Sequence, residues 1–93
     1  VKVSFTAQAR ADRNAIFDFL ASRSPSGARN VIASIDQTLR LIGEHPESGS
    51  RTRRPGTRVV TLSDYPYRIF YRVRADNILV QHIRHTSRRP WTR

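Results

Sequence analysis

The sequence predicts an α+β fold in the order β-α-α-β-β-β, with an N-terminal helix hairpin packed on one face of a small, antiparallel-rich sheet. Three observations predict it. Ala28, Val31, Ile32, Ile35, Leu39 and Ile42 recur on a 3.6-residue period, the mark of a helix with one apolar face. Residues 67–73 instead alternate Ile69, Tyr71 and Val73 with Arg68, Phe70 and Arg72, a period of two that belongs to a strand with one buried face. The last three predicted strands are joined by short turns, which favours an antiparallel meander. The apolar helix stripe must then cover a sheet face.

The elements follow in order. Val1, Val3 and Phe5 alternate with Lys2 and Ser4 in a short first strand. Thr6 is placed to cap a helix over residues 7–23, whose apolar positions are Ala9, Ile16, Phe17 and Leu20 with Phe19 beside them. Arg10, Asp12, Arg13 and Asp18 are expected to face water or a partner. Ser24-Pro25 restarts the chain as a second helix over residues 25–42, since serine caps and proline at the first helical position loses no useful donor. Arg29, Asn30, Ser34, Asp36, Gln37 and Arg40 mark its wet side, and Gly43 is expected in the left-handed C-terminal position. Residues 44–56 read as loop, punctuated by Pro46, Gly49, Pro55 and Gly56. Strands are expected over 58–62, 67–73 and from 78 to 84 or 85, separated by a Ser63-Asp64-Tyr65-Pro66 turn and an Arg74-Ala75-Asp76-Asn77 hairpin. The expected core is Val3, Phe5, Ile16, Phe17, Leu20, Val31, Ile32, Ile35, Leu39, Ile42, Val60, Ile69, Tyr71, Val73, Leu79 and Ile83.

A length of 93 residues suggests one domain over 1–93 with one modest core. Mean hydropathy is −0.56, and no apolar run approaches the roughly 20 residues of a membrane span. No signal peptide is read at the start, and no membrane partner is expected. Cysteine is absent, which excludes disulfides, thiolate metal sites and cysteine nucleophiles. A cytoplasmic location is the expectation.

Charge carries the functional signal. The chain has 17 basic and 7 acidic side chains, a net charge of +10, and Lys2 is the only lysine. Residues 1–50 are nearly balanced at +1, whereas residues 51–93 hold eleven arginines against Asp64 and Asp76. Such a segment seeks a polyanion: nucleic acid, a nucleoprotein or an acidic protein. Arg68, Arg72, Arg84, Arg88 and Arg89 converge from adjacent strands and the tail, and clustering like charges costs stability. The Arg51-Thr52-Arg53-Arg54 run is either a solvated loop or a partner contact. Trp91 either anchors a partner or folds back over the sheet edge. His85 is read as capping the last strand, with a general acid/base role as the alternative. His82 is expected to be a surface or partner contact. His45, His82 and His85 are scattered and make no metal site; no cofactor is expected.

Several stretches together resemble the RelE/ParE superfamily of bacterial toxins. They are Val3-Ser4-Phe5-Thr6 before the first helix, Pro46-Glu47-Ser48-Gly49 after the hairpin, Tyr67-Arg68-Ile69-Phe70-Tyr71-Arg72-Val73, and Ile83-Arg84-His85-Thr86-Ser87-Arg88-Arg89 at the end. The long hairpin and the 67–73 strand are closer to ParE. The resemblance implies the toxin of a type II toxin–antitoxin system, neutralised by a cognate acidic antitoxin in a hetero-oligomeric complex. A ParE-like toxin is expected to inhibit DNA gyrase. The alternatives are a RelE-like, ribosome-dependent mRNA endonuclease and an inactive basic nucleic-acid-binding relative. Against the RelE pattern, Arg68 and Arg88 match two arginines, but Val59 and Thr61 stand at the second-strand lysine positions. The C-terminal tyrosine is also absent, with Trp91, Thr92 and Arg93 in its place. A nuclease would therefore have to use a variant set of Arg68, Arg88 and His85. Expected target contacts are Arg84, Arg88, Arg89, Trp91 and Arg93. Expected antitoxin contacts are Arg10, Arg13, Arg40, Arg68 and Arg72.

Overall fold

Two hydroxyl caps set the boundaries of the helix hairpin in the computed structural model, which describes residues 1–87. Thr6 ends strand β1 (Lys2–Phe5) and its side chain accepts the Ala9 N–H at 3.0 Å, starting helix α1 (Ala7–Ala21). Ser24 does the same for helix α2 (Pro25–Glu44), accepting the Gly27 N–H at 3.1 Å, with Pro25 in the first turn. A single 3-10 turn (Pro46–Ser48) leads to β2 (Ser50–Arg51), β3 (Thr57–Thr61), β4 (Tyr67–Val73) and β5 (Asn77–His85).

The sheet order is β1-β5-β4-β3-β2. β2 to β5 form the expected antiparallel meander, and β1 joins β5 in parallel, with Val3 opposite Ile78 and Phe5 opposite Val80. The α+β arrangement is as predicted, with β2 as an addition: two residues are too few to show a period. α2 lays Ala28, Val31, Ile35, Leu39 and Ile42 on the sheet, against Ile69, Tyr71, Ile78, Val80 and Ile83. Burial of those side chains is the main force holding the hairpin down.

Several expectations are corrected. Phe17 and Phe19 are exposed, because α1 turns Ala9, Ile16 and Leu20 inward at i, i+7 and i+11 instead. Phe19 carries the Arg23 guanidinium, 4.0 Å above its ring centroid. α1 ends at Ala21 rather than Arg23. Val73, at the end of β4, is 41% exposed. Leu79 faces away from the helices, and Ile78 and Val80 take the core positions. The cause is a β-bulge: Phe70 pairs with His82 but Tyr71 pairs with Val80, so Gln81 is an extra residue that switches the alternation of β5.

Gly43 is not a left-handed cap. It lies inside α2, where an added Cβ would come within 3.1 Å of the Val1 carbonyl and 3.4 Å of the Val3 side chain. Its small size lets β1 cross close to the helix. A second close approach is at Gly49. The buried Tyr71 hydroxyl donates to the Pro46 carbonyl at 2.8 Å and accepts the Gly49 N–H at 2.9 Å. This locks the 3-10 turn onto the sheet from below.

Candidate functional site: an arginine face and a helix groove

Paired residues on neighbouring strands point to the same side, so the register assigns each side chain to a face. The face turned away from the helices carries Arg68, Phe70 and Arg72 from β4, Leu79, His82 and Arg84 from β5, and Thr57 and Val59 from β3. Arg68 stands directly opposite Arg84. Like charges in that position are unfavourable. Among the described residues neither guanidinium has a carboxylate within ion-pairing distance, and Arg84 Nε is buried without a hydrogen-bond partner. Between the arginines the face is filled rather than open, since Phe70 is only 7% exposed.

His82 is not the surface contact expected from the sequence. Its side chain is 12% exposed, and Nδ1 lies 3.6 Å from the Asp12 carboxylate. Asp12, expected to face water or a partner, reaches from α1 to the free edge of β5 and accepts the Ile83 N–H at 3.0 Å. This edge is exposed to α1 because β1 pairs only as far as Val80. Burial pushes the His82 pKa below its ordinary value of 6.5, the Arg84 and Arg54 charges push the same way, and Asp12 opposes them. Burial thus favours the neutral imidazole. Nothing in the sequence signals the Asp12–Ile83 hydrogen bond, which spans 71 residues.

His85 is on the other face. It pairs with Tyr67, meets that ring edge-on at 5.3 Å between centroids, and its Nδ1 accepts the Ser87 N–H at 3.2 Å. Arg68 and His85, two of the three residues a variant nuclease would need, thus point to opposite sides of the sheet. The third, Arg88, lies outside the described residues, as do Arg89, Trp91 and Arg93.

The arginines of the helix hairpin gather elsewhere. Arg10, Arg13 and Arg40 line a groove of about 790 Å³ between α1, α2 and β1, floored by Val3, Phe5 and Leu39. Arg13 bridges the helices, with Nη2 donating to both Asp36 carboxylate oxygens at 3.0 and 2.9 Å. β1 is an edge strand, so the groove also borders unpaired backbone. The five residues expected to meet an antitoxin are therefore divided: Arg10, Arg13 and Arg40 in the groove, Arg68 and Arg72 on the outer face.

Comparison with known proteins places this geometry. The family model described as the ParE toxin of the type II toxin–antitoxin system parDE matches residues 3–90. The Sinorhizobium fredii protein Y4kP, which carries a provisional toxin designation, is 31% identical over 75 residues, covering 81% of this chain and 78% of that one. Among solved structures, a chain of the chromosomal ParDE toxin–antitoxin system of P. aeruginosa superposes with a TM-score of 0.82 at 23% identity, covering 94% of this chain and 97% of that one. The isolated E. coli RelE toxin superposes with a TM-score of 0.68 at 17% identity, covering 95% of this chain and 86% of that one. The structural likenesses establish the fold; the family model and the sequence relative establish more. The chain belongs to the ParE toxin family of type II toxin–antitoxin systems.

Proposed function

We propose that this toxin acts in the cytoplasm by binding a gyrase-type topoisomerase rather than by cutting RNA, and that an acidic antitoxin neutralises it. One observation carries the choice: the arginine face offers positive charge without an accessible proton-transfer group. Cleavage of RNA at a 2′-hydroxyl needs a general base, stabilisation of the phosphorane and an acid for the leaving group. Arginines supply the second function and, being permanently protonated, not the first. Val59 and Thr61 provide no amine on β3. His85 points to the other face, and His82 is largely buried with Nδ1 turned to Asp12.

In this reading the C-terminal segment meets the target through Arg84, Arg88, Arg89, Trp91 and Arg93. The antitoxin lays an apolar, acidic segment into the helix groove, where Val3, Phe5 and Leu39 take the apolar side chains and Arg10 and Arg40 the carboxylates. Continuation of that segment over Arg68 and Arg72 would neutralise the outer face. Gyrase supercoiling of relaxed plasmid tests the proposal. Supercoiling is expected to fall as toxin is added and to recover with antitoxin. Unchanged supercoiling at large molar excess of toxin would refute it.

A further inference from the structure

The arginines at the β2–β3 connection form a display away from the helix groove, with Arg54 near enough to the outer face for its charge to act on His82. The display comprises Arg51 at the end of β2 and Arg53 and Arg54 in the loop that follows, all exposed, and lines a shallow concavity of about 540 Å³ with Val73. Arg74 is exposed just beyond β4, where Arg72 pairs with Thr57 at the end of the loop. Glu47 and Asp76 bound this stretch of sequence. Within it the only acid is Asp64, in the turn at the opposite end of β3. Among the described residues no carboxylate lies within ion-pairing distance of Arg51, Arg53 or Arg74.

The loop is built to hold these charges in place. The Thr52 N–H and hydroxyl both donate to the Thr57 carbonyl, at 3.1 and 2.9 Å. The same hydroxyl accepts the Arg54 N–H at 3.1 Å, and the Thr57 N–H donates to the Arg54 carbonyl at 3.1 Å. Gly56 takes a φ of +79°, a conformation that favours glycine. A Cβ there would also come within 2.7 Å of the Arg72 guanidinium, which donates to the Pro55 carbonyl at 3.2 Å and fastens the loop to the sheet. Holding Arg51, Arg53 and Arg74 without a carboxylate in ion-pairing range is unfavourable unless an anion completes them.

The chemistry of that anion follows from what the described surface around the loop lacks. Residues 50–64 contain no aromatic side chain. Phe70 is buried, Tyr67 and Tyr71 face the helices, and the exposed Phe17 and Phe19 lie on α1. Single-stranded nucleic acids are held by stacking bases on aromatic rings, whereas a duplex presents an ordered array of phosphates to arginines. We infer that the β2–β3 arginine loop, together with Arg74, grips the phosphate backbone of duplex DNA, so that the toxin holds DNA as well as its protein target. The choice of DNA among duplexes rests on the gyrase reading, whose substrate is double-stranded DNA.

Fluorescence anisotropy of the full-length chain with a short labelled DNA duplex, titrated across salt, tests this. Log affinity is expected to fall linearly with log salt. The triple variant Arg51→Gln, Arg53→Gln, Arg54→Gln is expected to lower that slope by about 2–3 and to weaken binding at low salt by at least about tenfold. The matching triple lysine variant is expected to retain binding, because the contact is one of charge. An unchanged slope in the glutamine variant would overturn the inference, as would tighter binding to the single strand or to duplex RNA of the same length. Capture of gyrase subunits without DNA separates the two proposals. Loss of DNA binding with capture intact locates the DNA contact in the loop. DNA binding without capture would refute the gyrase reading and leave the phosphate contact standing.

Discussion

Replacing Tyr71 by phenylalanine removes one oxygen atom and two hydrogen bonds while leaving the ring in its place. The hydroxyl bridges the Pro46 carbonyl and the Gly49 N–H, and both Tyr71 and Gly49 are buried. An unsatisfied buried N–H costs about 1–3 kcal/mol, and the half-buried Pro46 carbonyl loses about one ordinary hydrogen bond, about 1 kcal/mol. Tyr71→Phe is therefore expected to destabilise the fold by about 2–4 kcal/mol. For a chain of this size that lowers the melting temperature by about 10–30 °C. Urea unfolding followed by circular dichroism should show a lower midpoint with an unchanged slope.

Gly49→Ala attacks the same lock from the other side. The new Cβ would sit 2.6 Å from the Tyr71 hydroxyl oxygen, 2.9 Å from Tyr71 Cε1 and 2.9 Å from the Val59 carbonyl. That carbonyl belongs to a paired strand and cannot yield cheaply, so the variant is expected to lose at least about 2 kcal/mol. In the Tyr71→Phe background the tightest contact is gone and the hydrogen bond is already lost. The double variant should therefore be more stable than the sum of the two singles, by about 1 kcal/mol. A Tyr71→Phe variant within about 0.5 kcal/mol of the parent, or strictly additive losses, would show that the hydroxyl does not hold the turn to the sheet.

Three further outcomes are expected. Asp12→Ala strands the half-buried Ile83 N–H and should cost about 1.5–3 kcal/mol by urea unfolding, where a solvent-facing aspartate would cost nothing measurable. The His82 imidazole, with its pKa depressed by burial, binds a proton less readily folded than unfolded. Stability from this residue is thus fully present above pH 6.5 and is lost as pH falls below it. His82→Asn should flatten that dependence in pH-dependent urea melts, and a His82 NMR titration midpoint above 6.5 would contradict the assignment. Charge reversal in the groove, Arg10→Glu with Arg40→Glu, should weaken antitoxin binding by at least about tenfold in calorimetry while leaving the melting temperature nearly unchanged.

The elements that could be read from the sequence are those whose period has only one solution. α2 spaces its apolar residues so regularly that one face is possible, and β4 sets Arg68 and Arg72 on one parity and Ile69, Tyr71 and Val73 on the other, with Phe70 as the one apolar residue among the arginines. α1 offered four large apolar residues within five positions, Ile16, Phe17, Phe19 and Leu20, and only packing against the sheet selects Ile16 and Leu20. In β5, Ile78, Leu79, Val80 and Ile83 fit either parity, and the bulge at Gln81 decides between them through contacts to another strand. The same holds for the site. Arg68 and Arg72 were assigned to the outer face by alternation alone. The Asp12–His82 approach and the Tyr71–Gly49 lock join residues far apart in the chain and leave no local pattern.

The account rests on a toxin that binds its target and does not cut RNA. The most direct measurement is gyrase supercoiling beside translation-coupled cleavage of messenger RNA, run with one preparation of the toxin and with its Arg68→Ala variant. Loss of supercoiling with no new RNA ends in either sample is the predicted result. New RNA ends that disappear in the Arg68→Ala sample, with supercoiling untouched, would contradict it.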